Sequence, residues 1–397
     1  MKTRILFALC CLPLCEKECF MISFWERESF LQHDYIIVGS GITGLSLAAA
    51  LLEKQPGKRV LVLERGILPT GASTKNAGFA CIGSLTELLA DLRTMPEREV
   101  IDLLLLRLNG LQLLRQRLGD AAIGYQQLGS YELIGEAEMN ALDRLAEINQ
   151  WLRPILGQKP FGRNDDLINK FGFNADAIHA IVVNHLEGQL HTGQMMRALL
   201  QYVQRLGALV INGAEVLRFE DTGNGVAVEV AHQALQTKVL FEARHLAICT
   251  NAFVQQLLPE AHVQPGRGQV LVTKPIPNLP FKGIFHFDEG YYYFRNQEQR
   301  VIFGGGRNLD FQAEATTEFA YNRHILAELQ HKLTELILPN TPFEVEMQWT
   351  GIMAFGKTKM PTICQLSPNV VAGFKLSGMG VAIGSKLGQM LANMMEE

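Results

Sequence analysis

The chain has 397 residues, 48% of them hydrophobic, so it is long and apolar enough for two domains with filled cores. The formal net charge is -4, and acidic and basic residues are interspersed, without a basic block that alternates with aromatic residues. This pattern argues against a nucleic-acid partner. The apolar run at residues 101–119 is interrupted by Arg107, Arg115 and Arg117 at helical spacing, which predicts a core helix and no membrane span.

The first thirty residues form an extension ahead of the first predicted strand. Lys2 and Arg4 precede an apolar stretch from Ile5 to Cys15, as in a secretory signal, but no A-x-A cleavage pattern follows. Met21 then opens MISFWERESF, which leads directly into the strand. We expect a start codon placed too early or a signal-like segment, and a cytoplasmic protein, with export as the alternative.

The cysteines give no sign of a metal or disulfide framework. Of the seven, four lie in the first twenty residues, and Cys81, Cys249 and Cys364 are scattered along the remainder. Scattered single cysteines without ligand spacing indicate ordinary thiols in a reducing compartment. We therefore expect no metal site.

A nucleotide-binding βαβ unit is predicted in DYIIVGSGITGLSLAAALLEKQPGKRVLVLERG, residues 34–66. A strand from Tyr35 to Val38 ends in a turn whose glycines permit the bend, the approach of a pyrophosphate and close helix packing. The following helix, which runs to Lys54, directs its positive N-terminal end at phosphates. Glu64 ends the second strand twenty residues beyond Gly44, where it can accept the hydroxyls of an adenosine ribose and would repel the extra phosphate of NADP. FAD and NAD remain as the candidates.

Further along the chain, two groups of strands are predicted from apolar patterns. A small-residue loop at residues 71–83 is followed by two or three helices between residues 84 and 156. The first group of strands is Ala208–Ile211, Val226–Val230, Thr237–Phe241 and His245–Phe253. The second group is Gln269–Thr273, Tyr291–Arg295 and Val301–Phe303. A long helix is predicted over Thr316–Leu338, and the chain closes with the strand NVVAGF and a helix.

These elements predict a mixed α/β fold in which a Rossmann-like FAD-binding domain is built from discontinuous segments. An antiparallel-sheet substrate domain is inserted between those segments. The predicted bounds are 31–84, 185–262 and 346–397 for the FAD-binding domain, 85–184 and 263–345 for the substrate domain, and 1–30 for the extension. Because NAD domains are usually continuous, the interleaving favours FAD.

From about Asp34 to the C-terminus, the sequence resembles the D-amino-acid oxidase superfamily of FAD enzymes. That superfamily includes glycine oxidase, sarcosine oxidase and other amine-oxidising proteins. The pieces that carry the resemblance occur in the family's order: IIVGSGITGLS, LVLERG, GASTKNAGFA, EGQL followed by MMRALL, GAEVLRFE, AICTNAF, GRGQV, YYYFRN, VIFGGG, WTGI and VVAGFKLSGMGVAIG.

The resemblance implies noncovalent FAD and assigns residues to its surroundings. Cys364 falls several residues past the position at which some relatives attach the flavin. The residues implied around the pyrophosphate and adenosine are Gly39, Ser40, Gly41, Thr43, Gly44, Glu64, Arg65 and, through its backbone, Val216. Those implied along the pyrophosphate and isoalloxazine are Ser73, Thr74, Asn76, Ala77, Gly78, Thr250, Asn251, Gly378, Met379, Gly380 and Val381.

The resemblance also implies oxidation of an amine by hydride transfer to the flavin, giving an imine that hydrolyses. The cofactor carries the difficult chemistry, and hydride transfer from a neutral amine needs no catalytic base. No base stands out, because isolated histidines such as His185, His191 and His286 are more often structural. In the aromatic run from Tyr291 to Phe294, alternation on a strand directs two side chains, Tyr293 among them, towards the substrate cavity.

The main departure from the family lies in the carboxylate clamp. In D-amino-acid and glycine oxidases, the tryptophan-glycine segment continues into an arginine that pairs with the substrate carboxylate. Here the segment reads WTGIMAFGKTKMP, and Met353 stands at that position. Either the substrate lacks an α-carboxylate or another cation takes over the clamp. The candidate cations are Arg295, Arg307, Lys357 and Lys359, with Arg307 the first to test.

The electron acceptor and the class of function stay open at this level. In sarcosine-oxidase-like relatives a lysine beside the flavin promotes the reaction with oxygen, whereas the corresponding strand, RVIFGGG, offers Ile302 or an apolar neighbour. A dehydrogenase with another acceptor is therefore an alternative to an oxidase. A flavin-binding assembly factor that turns over no amine is a further alternative, and an NAD-dependent dehydrogenase is disfavoured by the split domain.

Overall fold

A computed structural model describes residues 22–232 and 236–395. Its α-helices are α1 (Phe24–Glu26), α2 (Ile42–Lys54), α3 (Leu85–Thr94), α4 (Glu97–Leu118), α5 (Leu145–Leu156), α6 (Asp166–Phe171), α7 (Thr192–Arg205), α8 (Arg323–Lys332) and α9 (Gly380–Met394). Short 3₁₀ segments are Ala72–Thr74, Glu136–Arg144, Asn251–Gln256 and Arg307–Leu309, and π-helical segments are Arg27–Leu31 and Leu333–Ile337.

The strands follow in chain order. They are β1 (Gln32–Val38), β2 (Val60–Glu64), β3 (Phe79–Ala80), β4 (Ser130–Ile134), β5 (Phe161–Arg163), β6 (Ala180–Asn184), β7 (Gly188–Gln189), β8 (Leu209–Asn212), β9 (Val216–Asp221), β10 (Val226–His232), β11 (Thr237–Ile248), β12 (Gln264–Thr273), β13 (Ile284–Phe287), β14 (Tyr292–Gln297), β15 (Arg300–Gly305), β16 (Val345–Phe355), β17 (Thr362–Ser367) and β18 (Val370–Phe374).

The described chain divides into two compact units. The first contains residues 22–74, 196–263 and 354–395, and the second contains residues 75–195 and 264–353. Residues 75–84, 185–195 and 346–353, which the sequence pattern assigns to the nucleotide-binding domain, belong to the second unit. They do so because β3 pairs with β7 and because Trp349 Nε1 donates to the Lys75 carbonyl at 2.9 Å.

The first unit is built on a sheet with the order β17-β18-β11-β1-β2-β8, and β10 and β9 extend it through β11. The pairings of β18, β11, β1, β2 and β8 are parallel, so their carboxyl ends meet at one edge. Helices α2 and α9 pack closely, since a Cβ on Gly388 would lie 2.6 Å from Leu47 N and 2.7 Å from Thr43 O. Ligands of open parallel sheets bind outside the carboxyl ends of the strands.

The second unit has a mostly antiparallel sheet with the order β16-β12-β15-β14-β13-β4-β6-β5. One face carries the hydrophobic core, in which the rings of Phe285 and Phe294 stack with centroids 4.6 Å apart. Leu329 of α8 and Phe171 of α6 belong to the same core. The two sheets confirm the predicted mixed α/β fold with a discontinuous first domain and a mainly antiparallel second one.

Two of the predicted elements have different bounds in the structure. The helix predicted from Thr316 begins at Arg323, because the Asn322 side chain accepts from His324 N at 3.1 Å and caps the first turn. The strands predicted at 237–241 and 245–253 are one strand, β11, which ends at Ile248 and is followed by a 3₁₀ turn.

The extension is described only in part. Residues 1–21, on which the signal-like pattern falls, lie outside the described residues. Within residues 22–232 and 236–395, none of the helices has the length and apolar character needed to cross a bilayer.

Candidate functional site

The glycine turn after β1 is shaped by contacts that leave no room for side chains. Gly39 has a φ of +104°, and a Cβ there would lie 2.8 Å from Cys249 O. A Cβ on Gly44 would lie 1.9 Å from the carbonyl oxygen of Gly39. The first turn of α2 therefore packs directly on the strand end, which leaves a bare backbone surface of the kind a pyrophosphate needs.

Ser73 and Gly41 complete the start of α2. Gly41 is the N-cap residue and supplies no side-chain cap, while Ser73 Oγ accepts from Ile42 N at 3.0 Å. A Cβ on Gly41 would lie 3.0 Å from that hydroxyl oxygen, so the small residue keeps the helix end open. Because the first N–H groups of a helix have no intrahelical partner, this end suits an anion.

Glu64 is held in place by the same turn. It is buried at the end of β2, where its Oε2 accepts from Ser40 N at 3.1 Å and from Ser40 Oγ at 2.8 Å. Its Oε1 accepts from Gly66 N at 3.0 Å. The structure therefore places Glu64, the residue predicted to bind the ribose, directly beside the glycine turn.

The predicted adenine neighbours lie close to Glu64. Ala214 N donates to the Glu64 carbonyl at 2.8 Å, and Val216 starts β9 two residues later. The Arg65 guanidinium lies 3.8 Å from the centroid of the Phe253 ring. Both predicted neighbours therefore lie in the unit that carries the glycine turn.

A second cluster lies where β11 and β18 end. The Asn251 side chain accepts from Lys375 N at 3.0 Å, and Ser377 N donates to Ala354 O at 3.0 Å. The hydroxyls of Thr250 and Ser377 are buried and have no hydrogen-bond partner among residues 22–232 and 236–395. Buried polar groups are nearly always paired, so two such hydroxyls fit a ligand at this edge.

The closing turn of the first unit leads directly into α9. Gly378 has a φ of +81°, and Met379 is the N-cap residue of α9. Gly380 and Val381 form the first turn of that helix. The glycine turn and the buried hydroxyls together fit the FAD that the resemblance implies, in which case Glu64 would hold the ribose and the first turn of α2 would hold the pyrophosphate.

The small-residue loop that follows is shared between the two units. Thr74 Oγ1 donates to Pro69 O at 2.7 Å in the first unit. In the second unit, Asn76 Oδ1 accepts from Gly78 N and from Thr192 Oγ1, each at 2.9 Å. Gly78 has a φ of +76°, and a Cβ there would lie 2.2 Å from Leu190 O. Ala77 lies between them and is buried. The Asn76 side chain therefore orders this loop through internal contacts.

Tyr293 and Met353 share one face of the second sheet, opposite the phenylalanine core. A Cβ on Gly304 would lie 2.7 Å from the Tyr293 hydroxyl oxygen, and a Cβ on Gly268 would lie 3.0 Å from Met353 Cε. Phe79 packs edge-to-face on Tyr293 with ring centroids 5.7 Å apart. These contacts form an aromatic and thioether wall over a floor of glycines.

The aromatic run divides between the two faces as alternation requires. Tyr292 and Phe294 lie in the core, whereas Tyr293 lies on the opposite face and Tyr291 precedes the strand. Burial raises the pKa of Tyr293 to about 12, so its hydroxyl stays protonated at neutral pH.

Arg295 is occupied by contacts inside the second unit. Its Nη1 donates to Leu190 O at 2.6 Å and to Ala77 O at 3.2 Å, and its Nη2 donates to Gln297 Oε1. Its Nε donates to Asn296 O at 3.0 Å, and only 2% of the residue is exposed. Burial lowers its pKa to about 10, which still leaves it charged at neutral pH. The structure therefore places Arg295 as a link between backbone segments.

The other candidate cations lie in different surroundings. Arg307 follows β15 directly, and its guanidinium lies 4.7 Å from the Phe311 ring centroid. Burial lowers the pKa of Arg307. Lys357 is exposed, and Lys357 and Lys359 lie in the first unit, in the turn between β16 and β17. Arg307, like Arg295, belongs to the second unit, and it lies three residues from Gly304 of the glycine floor.

Lys75 is a cation that the sequence pattern did not single out. A Cβ on Gly351 would lie 2.9 Å from Lys75 Cβ, and Gly351 is two residues from Met353 on the same strand. Its proximity depends on the pairing of the loop with β16, which local sequence does not encode. Lys75 therefore joins Arg307 as a candidate carboxylate ligand.

The three histidines have structural surroundings. Burial lowers the pKa of His286 to about 4, so its imidazole is neutral at pH 7. His191 Nδ1 accepts from Gln194 N at 3.3 Å near the start of α7. His185 is exposed, and its carbonyl accepts from Gln127 Nε2 at 2.9 Å. These contacts give none of the three an evident catalytic task.

Glu187 gives the second unit a pH-dependent contribution to stability. Burial raises its pKa from 4.5 to about 7, while its Oε1 accepts from Gly83 N at 3.2 Å and from Ile82 N at 2.6 Å. Because the folded-state pKa exceeds the unfolded value, this contribution is full below pH 4.5 and is lost as pH rises through about 7. We expect Glu187→Gln to be more stable than wild type at pH 8, by on the order of 2 kcal/mol.

The measurement is the free energy of unfolding of both proteins between pH 5 and pH 8, a range in which the difference between them should grow with pH. A difference that is constant across this range would show that Glu187 titrates as an ordinary carboxylate.

Comparison with known proteins shows the family and the fold of this chain. The model of the DAO family, described as FAD dependent oxidoreductase, matches residues 34–394. The probable oxidoreductase OrdL of Haemophilus influenzae is 21% identical over 373 residues, which cover 90% of this chain and 82% of that protein.

Two solved structures share the fold at low sequence identity. L-proline dehydrogenase from P. horikoshii has a TM-score of 0.74 and 17% identity, with 92% of this chain and 93% of that chain covered. Glycine oxidase from Geobacillus kaustophilus has a TM-score of 0.73 and 18% identity, with 92% and 95% covered. Since the family model spans nearly the whole described chain, this protein belongs to the DAO family of FAD-dependent oxidoreductases.

Proposed function

We propose that this protein oxidises the C–N bond of an amine or amino acid, giving an imine that water then hydrolyses. Noncovalently bound FAD would accept the hydride. The names of the solved relatives, a proline dehydrogenase and a glycine oxidase, make substrates with a CH–NH group the first to examine.

The observation that carries this proposal is the wall formed by Tyr293 and Met353. A neutral amine that loses a hydride needs a shaped, largely apolar surface and a hydrogen-bonding group to orient it, rather than a base. Tyr293 fits that task, because a hydroxyl whose pKa is raised to about 12 can donate a hydrogen bond throughout the neutral range but cannot act as a base there.

The initial test is the visible spectrum of the purified protein during anaerobic addition of single amines. A panel of glycine, sarcosine, D-amino acids, proline and putrescine derivatives covers amines with and without a carboxylate. Bleaching of the flavin bands near ~450 nm by one class supports the proposal and names that class. Flavin bands that none of these amines bleaches would instead favour a flavin-binding assembly factor.

The electron acceptor is tested by following reoxidation of the flavin that the amine has bleached. Ile302 lies on the same face as Tyr293, since it pairs with Arg295 across the β14–β15 ladder. An apolar residue there favours a dehydrogenase that uses an acceptor other than oxygen. If air reoxidises the bleached flavin no faster than free reduced flavin, while an artificial acceptor reoxidises it quickly, the dehydrogenase alternative is supported.

The carboxylate question has a direct mutational test at Arg307. Proline and pyrrolidine form a matched pair that differs only in the carboxylate. If Arg307 clamps that group, Arg307→Ala should lower kcat/KM for proline roughly 100-fold, or about 2.7 kcal/mol, because a charge-assisted hydrogen bond is lost. The value for pyrrolidine should be unchanged.

Two control variants complete this experiment. Arg300→Ala removes an arginine from the same unit that lies at the start of β15, where it forms a partly exposed ion pair with Glu346, whereas Gly304 lies towards the other end of that strand. It should leave the kinetics of both substrates unaffected. Lys75→Ala tests the second candidate cation. Unchanged kinetics for proline in both Arg307→Ala and Lys75→Ala would exclude them as clamps and favour a substrate without an α-carboxylate.

A further inference from the structure

Three non-glycine residues with left-handed backbone conformations meet at the carboxyl edge of the first sheet. Asn251 has a φ of +46°, Lys375 of +65° and Ser377 of +47°. They are linked, since Asn251 Oδ1 accepts from Lys375 N at 3.0 Å and Ser377 lies in the same turn. This conformation is unfavourable for residues with a Cβ, and such strain concentrates at functional sites.

Lys375 occupies a backbone position that suits glycine, and the placement of its side chain indicates why a lysine stands there. Its stem lies over Gly356, since a Cβ there would be 2.6 Å from Lys375 Cδ and 3.5 Å from its Nζ. Burial lowers the pKa of Lys375, and no neighbouring acid opposes that effect. Among residues 22–232 and 236–395, its ammonium group has no ion-pair or hydrogen-bond partner. A half-buried charge of this kind is costly unless something pairs with it.

Two buried hydroxyl groups near the Lys375 turn also have no hydrogen-bond acceptor among the described residues. Thr250 is adjacent to Asn251, and its buried hydroxyl, like that of Ser377, has no partner within the described part of the chain. Helix α9 starts at Gly380, so its N-terminal amides add positive potential next to the same turn. Lys375, the two hydroxyls and the helix end all favour an acceptor with negative charge.

We propose that Lys375 stabilises the negative charge that FAD acquires when it takes up two electrons and one proton, and that Thr250 and Ser377 donate hydrogen bonds to the same group. A fixed positive charge in a site sheltered from water stabilises developing charge strongly. Lys375 is then a residue that sets the reduction potential. This role needs bound FAD but not any particular substrate, so it stands apart from the proposed amine oxidation.

The experiment measures the two-electron midpoint potential and the dissociation constant for sulfite in Lys375→Gly, Lys375→Met and Lys375→Arg. Sulfite adds only to oxidised flavin and places negative charge on it, so it reports the same stabilisation without turnover. We expect Lys375→Gly and Lys375→Met to bind sulfite at least tenfold more weakly. Their potentials should fall by at least ~30 mV, which is the equivalent of tenfold for a two-electron couple. Lys375→Arg should recover most of both values.

Lys375→Gly separates loss of charge from damage to the fold. Glycine adopts the left-handed conformation freely, so this variant should melt at or above the temperature of wild type although it lacks the charge. Lys386→Met is the matched control, because it removes a lysine of α9 whose Nζ donates to Gln389 Oε1 at 2.7 Å, and its potential should equal that of wild type.

Two results would overturn the proposal. One is a Lys375→Gly protein that melts normally and retains the wild-type potential and sulfite affinity. The other is a Lys375→Gly protein that loses FAD while Lys375→Arg retains it with a wild-type potential, since the lysine would then serve binding of the oxidised cofactor. Neither measurement uses an amine, so failure of the amine panel leaves this test intact.

Discussion

Replacing Gly44 with alanine is expected to give a protein that no longer retains FAD. The added Cβ would lie 1.9 Å from the Gly39 carbonyl oxygen and 3.3 Å from Ile37 Cγ2. No rotamer change relieves a contact with backbone, so α2 must move away from β1. The cost of such overpacking is about 3 kcal/mol, and the movement displaces the helix end and the turn that the pyrophosphate requires.

The measurement is the ratio of flavin to protein absorbance after purification and after reconstitution with excess FAD, together with the thermal midpoint. Gly162→Ala is the matched control, because a Cβ at Gly162 in β5 would meet nothing within 4 Å. That control should retain FAD and melt as wild type does. A yellow Gly44→Ala protein with normal FAD content would show that the turn is not the cofactor cradle, or that the helix can shift without consequence.

The fold of the predicted nucleotide-binding βαβ unit could be predicted from the sequence because its signals are local. The strand, the three glycines, the helix and Glu64 fall within residues 34–66, and the structure places them as β1, the turn, α2 and β2. Each of these residues has one structural role, and the geometry of a βαβ unit fixes the sequence spacing between them. The pairing of Glu64 with Ser40 adds the detail that a residue of the glycine turn itself orients the carboxylate.

The candidate cations show that local sequence patterns do not predict which side chains are available to bind a substrate. Arg295 is one of the cations that the sequence offers as a replacement for the carboxylate clamp. Its actual partners, Ala77 O and Leu190 O, lie 218 and 105 residues away in the chain. Lys75 approaches Gly351 through a comparable long-range contact. Side-chain partners created by tertiary pairing leave no local periodicity, so sequence patterns alone cannot assign them.

Backbone conformation is a second property that the sequence pattern did not reveal. A lysine between a strand and a glycine turn suggests an ordinary loop residue, and its φ of +65° is visible only in the fold. The start of α8 is a simpler case, since Asn322 belongs to the residue types that favour N-cap positions, and its side chain caps the helix in the structure. The prediction of a helix from Thr316 rested on the helical pattern alone, and the structure places the start of the helix at Arg323.

These positions separate residues that would bind the cofactor from residues that would set its reduction potential. The glycine turn and Glu64 would bind the cofactor, whereas Lys375 is proposed to set its reduction potential. Tyr293 and Met353 would shape the substrate. Arg295 belongs to none of these groups, because every contact described for it joins parts of the second unit to one another. Mutational data on the arginines must therefore separate stability from catalysis.

Arg295→Met is expected to destabilise the second unit strongly while leaving the kinetics of the surviving folded protein nearly unchanged. Truncation removes donors from Ala77 O and Leu190 O in a region where Arg295 is only 2% exposed. Each buried acceptor left unpaired costs about 1–3 kcal/mol, so the total loss should be roughly 2–5 kcal/mol. Gly78 O would be less affected, since it also accepts from Leu190 N at 2.9 Å.

The measurement is the free energy of unfolding by denaturant, with kcat and KM determined at a temperature where the variant is folded. Arg300→Met is the control from the neighbouring strand, and its exposed pair with Glu346 should contribute less than about 1 kcal/mol. Arg295→Lys should fall between the two, because one ammonium group can serve some of the carbonyls but lacks the fork of the guanidinium. A stable Arg295→Met protein with a KM raised only for carboxylate substrates would instead make Arg295 the clamp, and the contacts to Ala77 and Leu190 would then be secondary to that role.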